Sequence, residues 1–586
     1  MCGIAGIMTR NGKGPDVSIL GSLARALGHR GPDGEGKYLA GPVAMVQTRL
    51  AVIDLKTGDQ PIYEPGGAAL IANAEIYNYL ELRAEMGDVA QTTQSDCEPP
   101  LHLYRRDGLS FTDSLRGMYA IAIHDPVDGR LVLARDPFGI KPLYYVETED
   151  HFAFASEPQA LIAIGAIKPE LATERRNELL QLQFTCGRST IFRGINRVLP
   201  GETLVVRGGR IVERRRRAAL PAGGPEACGI DEAVARLDSA LEDSVLLHQR
   251  SDVPYGLFLS GGVDSATMLA LMSRLNERPV TAFTAGFSGT SVSDERDHAR
   301  TLAKTVGADF HDIDFTDTDF WTLLPEIAAA MDDPAADYAI LPTWKLAREA
   351  VRDVKVVISG EGGDELFGGY GRYRSALRPW WQGGRMMRAR GIVEGLGVLR
   401  EEDAGWRDAI SAAEVTASEP QRSRLQIAQA VDITDWLPND LLTKLDRCLM
   451  AHGMEGRTPF LDPEVAKAVF CLPDSLKIHK RRGKWILRRW LDRVMPKANP
   501  FERKRGFTVP VGEWIFARGT KLGPLVAASP AVAEACHPDR VTALYKSTKK
   551  RAQLAGWVLL FYALWHRRHI EQRMPEGDVF DVLGAP

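Results

Sequence analysis

The chain has 586 residues, enough for roughly two to four domains with well-buried cores. Its 45% hydrophobic and 25% charged residues are typical of a globular protein, and a formal charge of −3 argues against a dedicated nucleic-acid binder. Seven scattered cysteines without zinc-type spacing suit a reducing cytosol, and neither a secretory signal nor a bilayer-length apolar stretch is present. These features predict a cytoplasmic location, no membrane partner and no nucleic-acid partner.

A cysteine directly follows the initiator methionine, in Met1-Cys2-Gly3-Ile4. Because methionine aminopeptidases remove methionine before a small residue, we expect Cys2 to become the N-terminal residue. Its α-amino group, with a pKa near ~8, then lies beside its own thiol and can act as the base. A lone cysteine more often only begins a strand, so this role depends on the motifs that follow.

Up to about residue 205, short strands alternate with Gly, Pro and Asp turns, which is typical of sheets packed face to face with helices outside. The predicted strands are residues 43–48, 68–72, 119–123, 131–135, 144–146 and 152–156. A substrate with an amino acid head needs an arginine for its carboxylate and an aspartate for its ammonium, and Arg49 and Asp96 are candidates. Taken singly, each of these two residues more often belongs to a surface ion pair.

Residues 207–230 are predicted to be a linker, because four consecutive arginines at 214–217 precede a Pro- and Gly-rich stretch. Four arginines are able to contact RNA, but a solvated connector is the favoured interpretation. From Asp231 an amphipathic helix is predicted, and beyond it strands alternate with helices as in parallel α/β sheets. The predicted strands there are residues 255–259, 280–283, 310–313 and 355–358, with helices at 298–306 and 557–565.

The first loop, residues 260–265, reads Ser-Gly-Gly-Val-Asp-Ser and lies between a predicted buried strand and a predicted helix. A glycine-rich strand-to-helix turn lets backbone N–H groups converge beside the positive helix N-terminus, which favours phosphate binding. It is not a Walker A loop, because the spacing and the lysine of that motif are absent. An ordinary turn is the alternative, but two glycines, two hydroxyls and a carboxylate in so short a loop make it less favoured.

The second loop, residues 359–370, reads Ser-Gly-Glu-Gly-Gly-Asp-Glu-Leu-Phe-Gly-Gly-Tyr and follows the predicted strand at 355–358. The carboxyl end of a parallel strand is where α/β sheets bind ligands. Carboxylates beside a phosphate site need Mg²⁺ between them and the phosphates, so Asp264 and Asp364 are a candidate metal pair. Farther on, Lys484 lies in the basic run 480–488, which is a solvated helix start, a nucleic-acid patch or a source of charge for a phosphoryl transition state.

Several motifs of the first part are similar to those of a known family. They are Cys-Gly-Ile-Ala-Gly at 2–6, His-Arg-Gly-Pro-Asp at 29–33, Arg-Leu-Ala-Val-Ile-Asp at 49–54, Asn-Ala-Glu-Ile-Tyr-Asn at 73–78, Ser-Asp-Cys-Glu at 95–98 and Arg-Asp-Pro-Phe-Gly-Ile-Lys-Pro-Leu-Tyr-Tyr at 135–145. They resemble the glutaminase domain of class II glutamine amidotransferases, which has an N-terminal-nucleophile hydrolase fold. The resemblance implies that Cys2 attacks the glutamine carboxamide and that Asn73 and the N–H of Ala74 form the oxyanion hole. The implied glutamine-binding residues are Arg49, Ile53, Asn73, Glu75 and Asp96.

One departure from the family pattern is residue 74, where Asn-Gly-Glu is usual and this chain has Ala74. Alanine still supplies a backbone N–H. If the usual glycine serves a positive φ, however, alanine costs on the order of 1 kcal/mol, and a weakened or differently regulated glutaminase is one expectation. We nevertheless expect the site to be active.

A second resemblance is based on four motifs. They are the two loops at 260–265 and 359–370, Leu-Thr-Lys-Leu-Asp-Arg at 442–447 and Arg-Thr-Pro-Phe-Leu-Asp at 457–462. Together they look like the synthetase domain of B-type glutamine-hydrolysing asparagine synthetases, and with the first part the resemblance covers nearly the whole chain. It implies that the side-chain carboxylate of aspartate attacks the α-phosphorus of ATP, and that ammonia then displaces AMP from β-aspartyl-AMP. Glu361 matches the family residue important for that intermediate, and Lys484 matches its catalytic lysine. The implied ATP contacts are Leu259, Ser260, Gly261, Gly262, Asp264, Ser265, Ala285, Ser359 and Gly360.

The predicted fold class is α/β and α+β: an N-terminal-nucleophile hydrolase β-sandwich flanked by helices, followed by a parallel-sheet α/β ATP-pyrophosphatase domain. The predicted domains are a glutaminase at 2–206, the linker at 207–230, the synthetase at 231–520 and a helical C-terminal extension at 521–586. ATP with Mg²⁺ is the predicted co-substrate, without a tightly bound organic cofactor. Glutamine and aspartate are the predicted small-molecule partners, and a homodimer is the candidate assembly. Gly456 replaces a usually larger residue near the predicted site, which puts the acceptor's identity in question.

Three other interpretations stay open. A related amidotransferase or cyclase would activate a different carboxylate through the same adenylate chemistry. An RNA-modifying ATP pyrophosphatase would use the arginine runs, although the missing Cys-x-x-Cys and the acidic net charge argue against it. An ammonia-dependent enzyme with a silent glutaminase would follow if Ala74 disables the first site.

Overall fold

The computed structural model describes residues 2–585 with the exception of 11, 88, 293, 383, 385–386, 403 and 503–507. Residues 2–216, called here the N-terminal region, form two antiparallel sheets of six strands each. Their strands are β1 (Cys2–Thr9), β2 (Gly34–Ala40), β3 (Val43–Arg49), β4 (Ile62–Tyr63), β5 (Ala69–Ile76), β6 (Gly117–Asp125), β7 (Arg130–Arg135), β8 (Tyr144–Glu147), β9 (His151–Ala155), β10 (Asn196–Arg197), β11 (Glu202–Arg207) and β12 (Arg210–Arg216).

The two sheets pack face to face as a sandwich. Their strand orders are β10-β8-β9-β1-β3-β2 and β12-β11-β7-β6-β5-β4. Alternate side chains of both sheets, such as Ile4 of β1 and Ile71 of β5, share one buried apolar cluster, as period-2 patterning requires. The helices of this region are α1 (Ser18–Leu27), α2 (Tyr79–Met86), α3 (Pro99–Asp107), α4 (Pro158–Ala163) and α5 (Thr173–Leu182), with 3₁₀ helices at Gly28–Arg30 and Gly108–Ser114.

Residues 230–585, the C-terminal region, contain a five-stranded parallel sheet. Its strands are β13 (Tyr255–Phe258), β14 (Thr281–Gly286), β15 (Asp309–Asp314), β16 (Val356–Ile358) and β17 (Glu455–Arg457), in the order β15-β14-β13-β16-β17. The chain builds outward from β13 on one side and then returns to add β16 on the other. The carboxyl ends of β13 and β16 therefore flank a topological switch point, which is where open α/β sheets bind ligands.

Helices surround this parallel sheet and form the C-terminal end of the chain. They are α6 (Ile230–His248), α7 (Val263–Leu275), α8 (Arg296–Val306), α9 (Asp317–Ala330), α10 (Ile340–Ala350), α11 (Gly363–Phe367), α12 (Gly371–Ala376), α13 (Asp408–Ala417), α14 (Arg424–Val431), α15 (Leu442–Met450), α16 (Pro463–Val469), α17 (Asp474–Lys477), α18 (Trp485–Val494), α19 (Val511–Ala517), α20 (Gly519–Ala528), α21 (Pro530–Ala535), α22 (Pro538–Leu544), α23 (Lys550–His569) and α24 (Val579–Gly584). A π-helix spans Asp432–Leu441, and 3₁₀ helices span Trp380–Gln382, Ala404–Arg407 and Pro496–Ala498.

The predicted fold class is confirmed, but strands β2, β4, β10, β11, β12 and β17 were not predicted. The segment predicted as a linker begins with β12, which pairs with β11 at the edge of the second sheet. The charged strand β17 lies at the edge of the parallel sheet, and all of its residues are buried. Within the described ranges, no helix is both long and apolar enough to cross a membrane. The predicted domain limits stay a prediction.

Candidate active sites

Cys2 begins strand β1 and lies where the two antiparallel sheets meet. Its register partner in β3 is Arg49, so the nucleophile candidate and the arginine candidate are neighbours in one sheet. The Cys2 backbone nitrogen donates a hydrogen bond of 3.0 Å to Oδ1 of Asn73, which lies on β5 of the other sheet. The structure therefore brings together three residues that are far apart in the sequence.

Within the described residues, the side-chain amide of Asn73 is hydrogen-bonded through its oxygen but not through its nitrogen. Its Oδ1 accepts from the Cys2 nitrogen, which fixes the orientation of the amide because the nitrogen can only donate. Its Nδ2 is buried and has no hydrogen-bond partner in the described part of the chain. A buried donor that is left without a partner costs free energy, so its persistence next to a nucleophile fits a group that waits for a transition-state oxyanion.

The buried surroundings of the Cys2 thiol favour its protonated form. Burial raises the pKa of Cys2, and the opposing effects of the Leu50 N–H, the Gln47 side chain and the Arg49 charge do not cancel it. Because only the thiolate is nucleophilic, the thiol needs a base close by. The nitrogen of Cys2 becomes an α-amino group if methionine is removed, and it is already held by Asn73.

Ala74 does not have the strained backbone that its departure from the family pattern suggested. It lies inside strand β5 opposite Tyr119, and it is absent from the described non-glycine residues with positive φ. Its methyl group joins a buried apolar cluster on the outer face of the second sheet. The expected penalty for a positive φ therefore does not arise, and the hypothesis of a silent glutaminase loses its physical basis.

The two candidates for the amino acid head of glutamine are both buried near Cys2. Arg49 donates 2.8 Å to the exposed carboxylate of Asp59 and also donates to the main-chain oxygen of Asp54. The carboxylate of Asp96 accepts a 2.7 Å bond from the Ile76 N–H. Burial raises the pKa of Asp96 to about 6, although that N–H bond lowers it.

The remaining two glutamine-binding candidates face the C-terminal region. Glu75 forms an ion pair of 2.9 Å with Arg457 of β17, and burial together with the Glu455 charge raises the pKa of Glu75. Ile53 lies in the loop after β3 and packs against the apolar core of the C-terminal region. The structure therefore places Glu75 and Ile53 at the contact between the two regions. The positions of these residues in the sequence do not predict this location.

The second candidate site is a cavity of about 400 Å³ at the switch point between β13 and β16. Helix α7 begins at Val263, so residues 264 and 265 lie in its first turn, where N–H groups and the helix dipole favour an anion. The predicted ATP contacts that line the cavity are Leu259, Ser260, Gly262, Asp264, Ser265, Ala285, Ser359 and Gly360. Gly261 instead lines an adjoining cavity of about 210 Å³, with His298 and Arg488.

The two loops approach each other so closely that only glycine fits between them. A Cβ atom on Gly360 would lie 2.9 Å from Cβ of Asp264 and 3.2 Å from the nitrogen of Ser265. Any side chain there would push the second loop away from the first turn of α7. Gly360 therefore lets the two loops pack directly against each other where they line the cavity.

Lys484 connects both loops through its ammonium group. It forms a 2.6 Å ion pair with Asp364 and a closer one with Asp264. Burial lowers the pKa of Lys484, but the charges of these two carboxylates outweigh it and raise the pKa. Lys484 also has a φ of 57°, a left-handed conformation that costs on the order of 1 kcal/mol for a side-chain-bearing residue. This strained, buried lysine joins the two loops through their carboxylates.

The candidate metal pair fits Mg²⁺ that arrives with ATP. The Asp264 and Asp364 carboxylates lie within reach of one ammonium group, and Mg²⁺ usually uses only one or two carboxylates together with substrate phosphates and waters. In keeping with that, the described residues contain no group of three or more His, Cys, Asp or Glu that would hold a metal by themselves. The pair suits a metal that is shared with a phosphate.

Sequence reasoning missed several charged residues of the cavity. Lys444 of α15 is buried and forms ion pairs with Glu361 at 3.2 Å and Asp337 at 3.6 Å. Burial and the charge of a neighbouring carboxylate raise the pKa of Glu365 to about 8, and Tyr370 donates a 2.7 Å bond to it. The motif at 442–447 was recognised, but its sequence does not say which of its charged residues faces which site.

The arginine run and Gly456 also have local explanations. In the described structure, the four arginines bond within their own region: Arg214 to Glu202, Arg215 to Glu213, Arg216 to the Pro200 oxygen and Arg217 to the Thr112 oxygen. Because ion pairs and hydrogen bonds within the region hold these arginines, the run gives no support to RNA binding.

Gly456 is explained by the packing of β17. A Cβ atom on Gly456 would meet Leu449 and Leu445 of α15 at 3.0 and 3.3 Å, so the glycine allows β17 to pack closely on that helix.

Two family models match the chain, one over each region. The asparagine synthase family model matches residues 236–567, and the glutamine amidotransferase domain model matches residues 1–216. The chain is 33% identical to a putative glutamine-hydrolyzing asparagine synthetase of Mycobacterium tuberculosis, over 97% of this chain and 98% of that one. It is 31% identical to glutamine-hydrolyzing asparagine synthetase 1 of Bacillus subtilis, over 98% of each chain.

A differently named relative is also similar. Amidase chry2 of Gibberella zeae is 30% identical over 64% of this chain and 60% of that protein. The family model alone covers more than half of the chain, and the relatives cover nearly all of it. The chain therefore belongs to the asparagine synthase family, with a glutamine amidotransferase domain at its N-terminal end.

Proposed function

We propose that the protein is a glutamine-hydrolysing asparagine synthetase that uses ATP as its co-substrate. The observation that carries this proposal is that one chain holds both candidate sites. A buried Cys2–Asn73 pair is suited to acyl transfer, and a cavity between two glycine loops is suited to a nucleotide phosphate. Family membership, with relatives of nearly the same length that carry this name, supports it.

At the first site, Cys2 would attack the carboxamide carbon of glutamine. The α-amino group accepts the thiol proton, the C–S bond forms, and the carbonyl oxygen becomes an oxyanion near Asn73 Nδ2 and the Ala74 N–H. Collapse of this intermediate breaks the C–N bond and releases ammonia after a proton returns to it. Water then hydrolyses the thioester to glutamate. Arg49 and Asp96 would hold the carboxylate and the ammonium of glutamine, as the charges of both residues allow.

At the second site, the β-carboxylate oxygen of aspartate would attack the α-phosphorus of ATP. The new P–O bond forms as the bond to the pyrophosphate oxygen breaks. Lys484 would neutralise charge on the phosphates at that moment. Mg²⁺ supplies further charge neutralisation when it is bound with ATP, and Asp264 and Asp364 would hold it.

Ammonia from the first site would complete the reaction at the second. Its lone pair attacks the β-carbonyl carbon, and breaking the C–O bond to AMP, with loss of a proton, gives asparagine. Ammonia is mostly protonated in neutral water, so an internal passage that excludes water would preserve the nucleophile. Glu361 lies where it could accept that proton, because it lines the cavity beside Lys444. A homodimeric assembly and a cytoplasmic location stay predictions.

The experiment that tests this proposal supplies the purified full-length protein with Mg-ATP, glutamine and one acceptor at a time. We expect aspartate to stimulate release of AMP and pyrophosphate and to yield asparagine in equal amount. Glutamate, β-alanine and N-acetylaspartate serve as matched carboxylates that differ in chain length or in the amino acid head. If aspartate fails to stimulate AMP and pyrophosphate release, the proposal is wrong.

The second candidate is an amidotransferase of the same chemistry with a different carboxylate acceptor. Two observations favour keeping it. The cavity is lined by charged residues that include Asp337, which belongs to none of the recognised motifs, and one relative has an amidase name rather than a synthetase name. The same acceptor panel decides between the two, because a carboxylate other than aspartate would then give the larger stimulation.

A further inference from the structure

Helix α15 contacts the nucleotide cavity directly and the Cys2 site through one intervening side chain. Lys444 and Asp446 are two positions apart on it, which places their side chains about 200° apart around the helix axis. Lys444 reaches Glu361 in the nucleotide cavity. Asp446 points the other way, into the N-terminal region, where it meets Arg30.

Arg30 bonds both Asp446 and Cys2, the candidate nucleophile. Its guanidinium is fully buried and makes a bidentate pair with Asp446, at 2.8 and 3.0 Å. Its Nε donates a 3.2 Å hydrogen bond to the main-chain oxygen of Cys2. The same guanidinium also bonds Glu157 at 2.7 Å. The position of the first residue of β1 therefore depends on a side chain that itself depends on α15.

We propose that Asp446 is a positioning residue for Cys2, acting through Arg30, and that helix α15 thereby links the nucleotide cavity to the glutaminase site. This inference rests on the proposed function, because it assigns a coupling role between its two half-reactions. A bidentate arginine–carboxylate pair fixes both distance and angle, unlike a single ion pair. The Lys444 ion pairs with Glu361 and Asp337 line the nucleotide cavity, so a ligand that displaces them acts directly on α15.

Asp446→Asn tests the link by removing the charge while keeping the shape of the side chain. Its matched control is Asp333→Asn, because Asp333 forms another buried bidentate pair across the two regions, with Arg197 at 2.8 and 2.7 Å. Arg197 bonds Thr185 and main-chain oxygens near β10 rather than Cys2. Each substitution removes one carboxylate charge from buried arginines: Asp446→Asn from Arg30 and Arg447, and Asp333→Asn from Arg197. Both variants therefore carry a general cost to stability.

Three rates are measured for the wild type and both variants. They are glutaminase kcat/KM alone, glutaminase kcat/KM with Mg-ATP and aspartate present, and ammonia-dependent synthesis. We expect Asp446→Asn to lower glutaminase kcat/KM by about tenfold or more while ammonia-dependent synthesis stays within about twofold. We expect Asp333→Asn to stay within about twofold of wild type in each rate. We also expect the cavity ligands to change the wild-type glutaminase rate, and Asp446→Asn to lose that response.

Equal losses in the two variants, a parallel loss of ammonia-dependent synthesis in Asp446→Asn, or a wild-type glutaminase that ignores the cavity ligands would overturn the link. If Asp446→Asn does not fold, as judged by its circular dichroism, Asp446→Glu replaces it. That variant keeps the charge and displaces it by one methylene, so the same selective loss of glutaminase activity is expected. A failure of the proposed function would show in the wild type as absent asparagine synthesis, which leaves the variant comparison of glutaminase rates intact.

Discussion

The two candidate sites of this protein are built on opposite principles. The Cys2 site lies within strands of two packed sheets, where Asn73 is fully buried and Cys2 is only 7% exposed. The nucleotide site lies on loops at the ends of parallel strands, around an open cavity of about 400 Å³. Strands hold atoms rigidly, whereas loops at a switch point leave room for a large ligand.

The difference extends to how each site handles charge. At the Cys2 site, burial favours the neutral thiol, and within the described residues the buried amide donor of Asn73 has no partner, so this donor is in place before the substrate binds. The nucleotide site pairs its carboxylates with the lysines Lys444 and Lys484, so ATP and its metal must rearrange existing ion pairs. The first site is preorganised for an oxyanion, and the second depends on its ligand to reach its working arrangement.

The largest effect on this comparison is expected from Cys2→Ala, which breaks the first site alone. Glutamine-dependent synthesis should fall to below about 0.1% of wild type, because the variant has no thiol to form the thioester. Ammonia-dependent synthesis should persist, since the nucleotide cavity does not contain Cys2. Steady-state assays with glutamine or ammonium chloride measure both, and Cys186→Ala, another buried cysteine of the region, is the control. Loss of both activities would contradict the separation of the sites.

Lys484→Met is expected to break the second site alone. Pyrophosphate release should fall by about 10²–10³-fold, because two carboxylates and the phosphates lose their shared cation. Glutaminase activity without ATP should remain near the wild-type value. A coupled pyrophosphate assay and a glutamate assay measure the two, with Lys477→Met as a control for a buried lysine that bonds Gln429 instead. An equal loss in the control would show that Lys484 acts only through stability.

Asp96 makes the first site sensitive to pH. A carboxyl with a pKa of about 6 is about 90% ionised at pH 7 and about 10% ionised at pH 5, so glutamine affinity should fall about tenfold over that interval. Calorimetric titration of glutamine into Cys2→Ala measures binding without turnover. In Asp96→Asn, affinity should be low and nearly independent of pH. A wild-type-like pH dependence in Asp96→Asn would assign the titration to another group.

The same pKa shift affects folding stability in a definite direction. The folded-state pKa of about 6 lies above the ordinary value of 3.8, so the folded protein binds this proton more tightly than the unfolded chain. The contribution of Asp96 to the free energy of unfolding is therefore present at low pH and is lost as pH rises through about 6. Between pH 4 and pH 6 this loss amounts to roughly 2 kcal/mol. Denaturant titrations of wild type and Asp96→Asn at these two pH values should differ by that fall.

The smallest effect is expected from Ala74→Gly, which restores the usual family residue. Because Ala74 occupies an ordinary strand conformation, glycine should lower the free energy of unfolding by about 0.5–1 kcal/mol and leave glutaminase kcat/KM within about twofold. Ala72→Gly, on the same strand, is the control for the cost to stability. A gain of glutaminase activity of about tenfold or more would mean that the methyl group does obstruct the oxyanion hole.

Much of the fold was predictable because local patterns matched the final elements. Strands β3, β5, β6 and β7 and the strands of the parallel sheet before β17 were expected from apolar runs between turn residues. Strands β12 and β17 were not, because their charged sequences resemble a connector or a loop. Arg214 forms an ion pair with Glu202 on the neighbouring strand, and Arg457 of β17 forms one with Glu75 in the other region. Those partners make charged strands stable, and no local pattern reveals them.

By itself, the sequence determined which chemistry the chain carries. Cys2 behind the initiator, the two glycine loops and their order along the chain follow from short motifs whose meaning depends on nearby residues. Only the tertiary structure decided that Asn73 offers its Nδ2 beside Cys2, that Lys484 joins the two loops and that Asp446 faces Arg30. These contacts join residues separated by tens to hundreds of positions, and their strength comes from burial, which excludes water from charged groups only once the chain has folded.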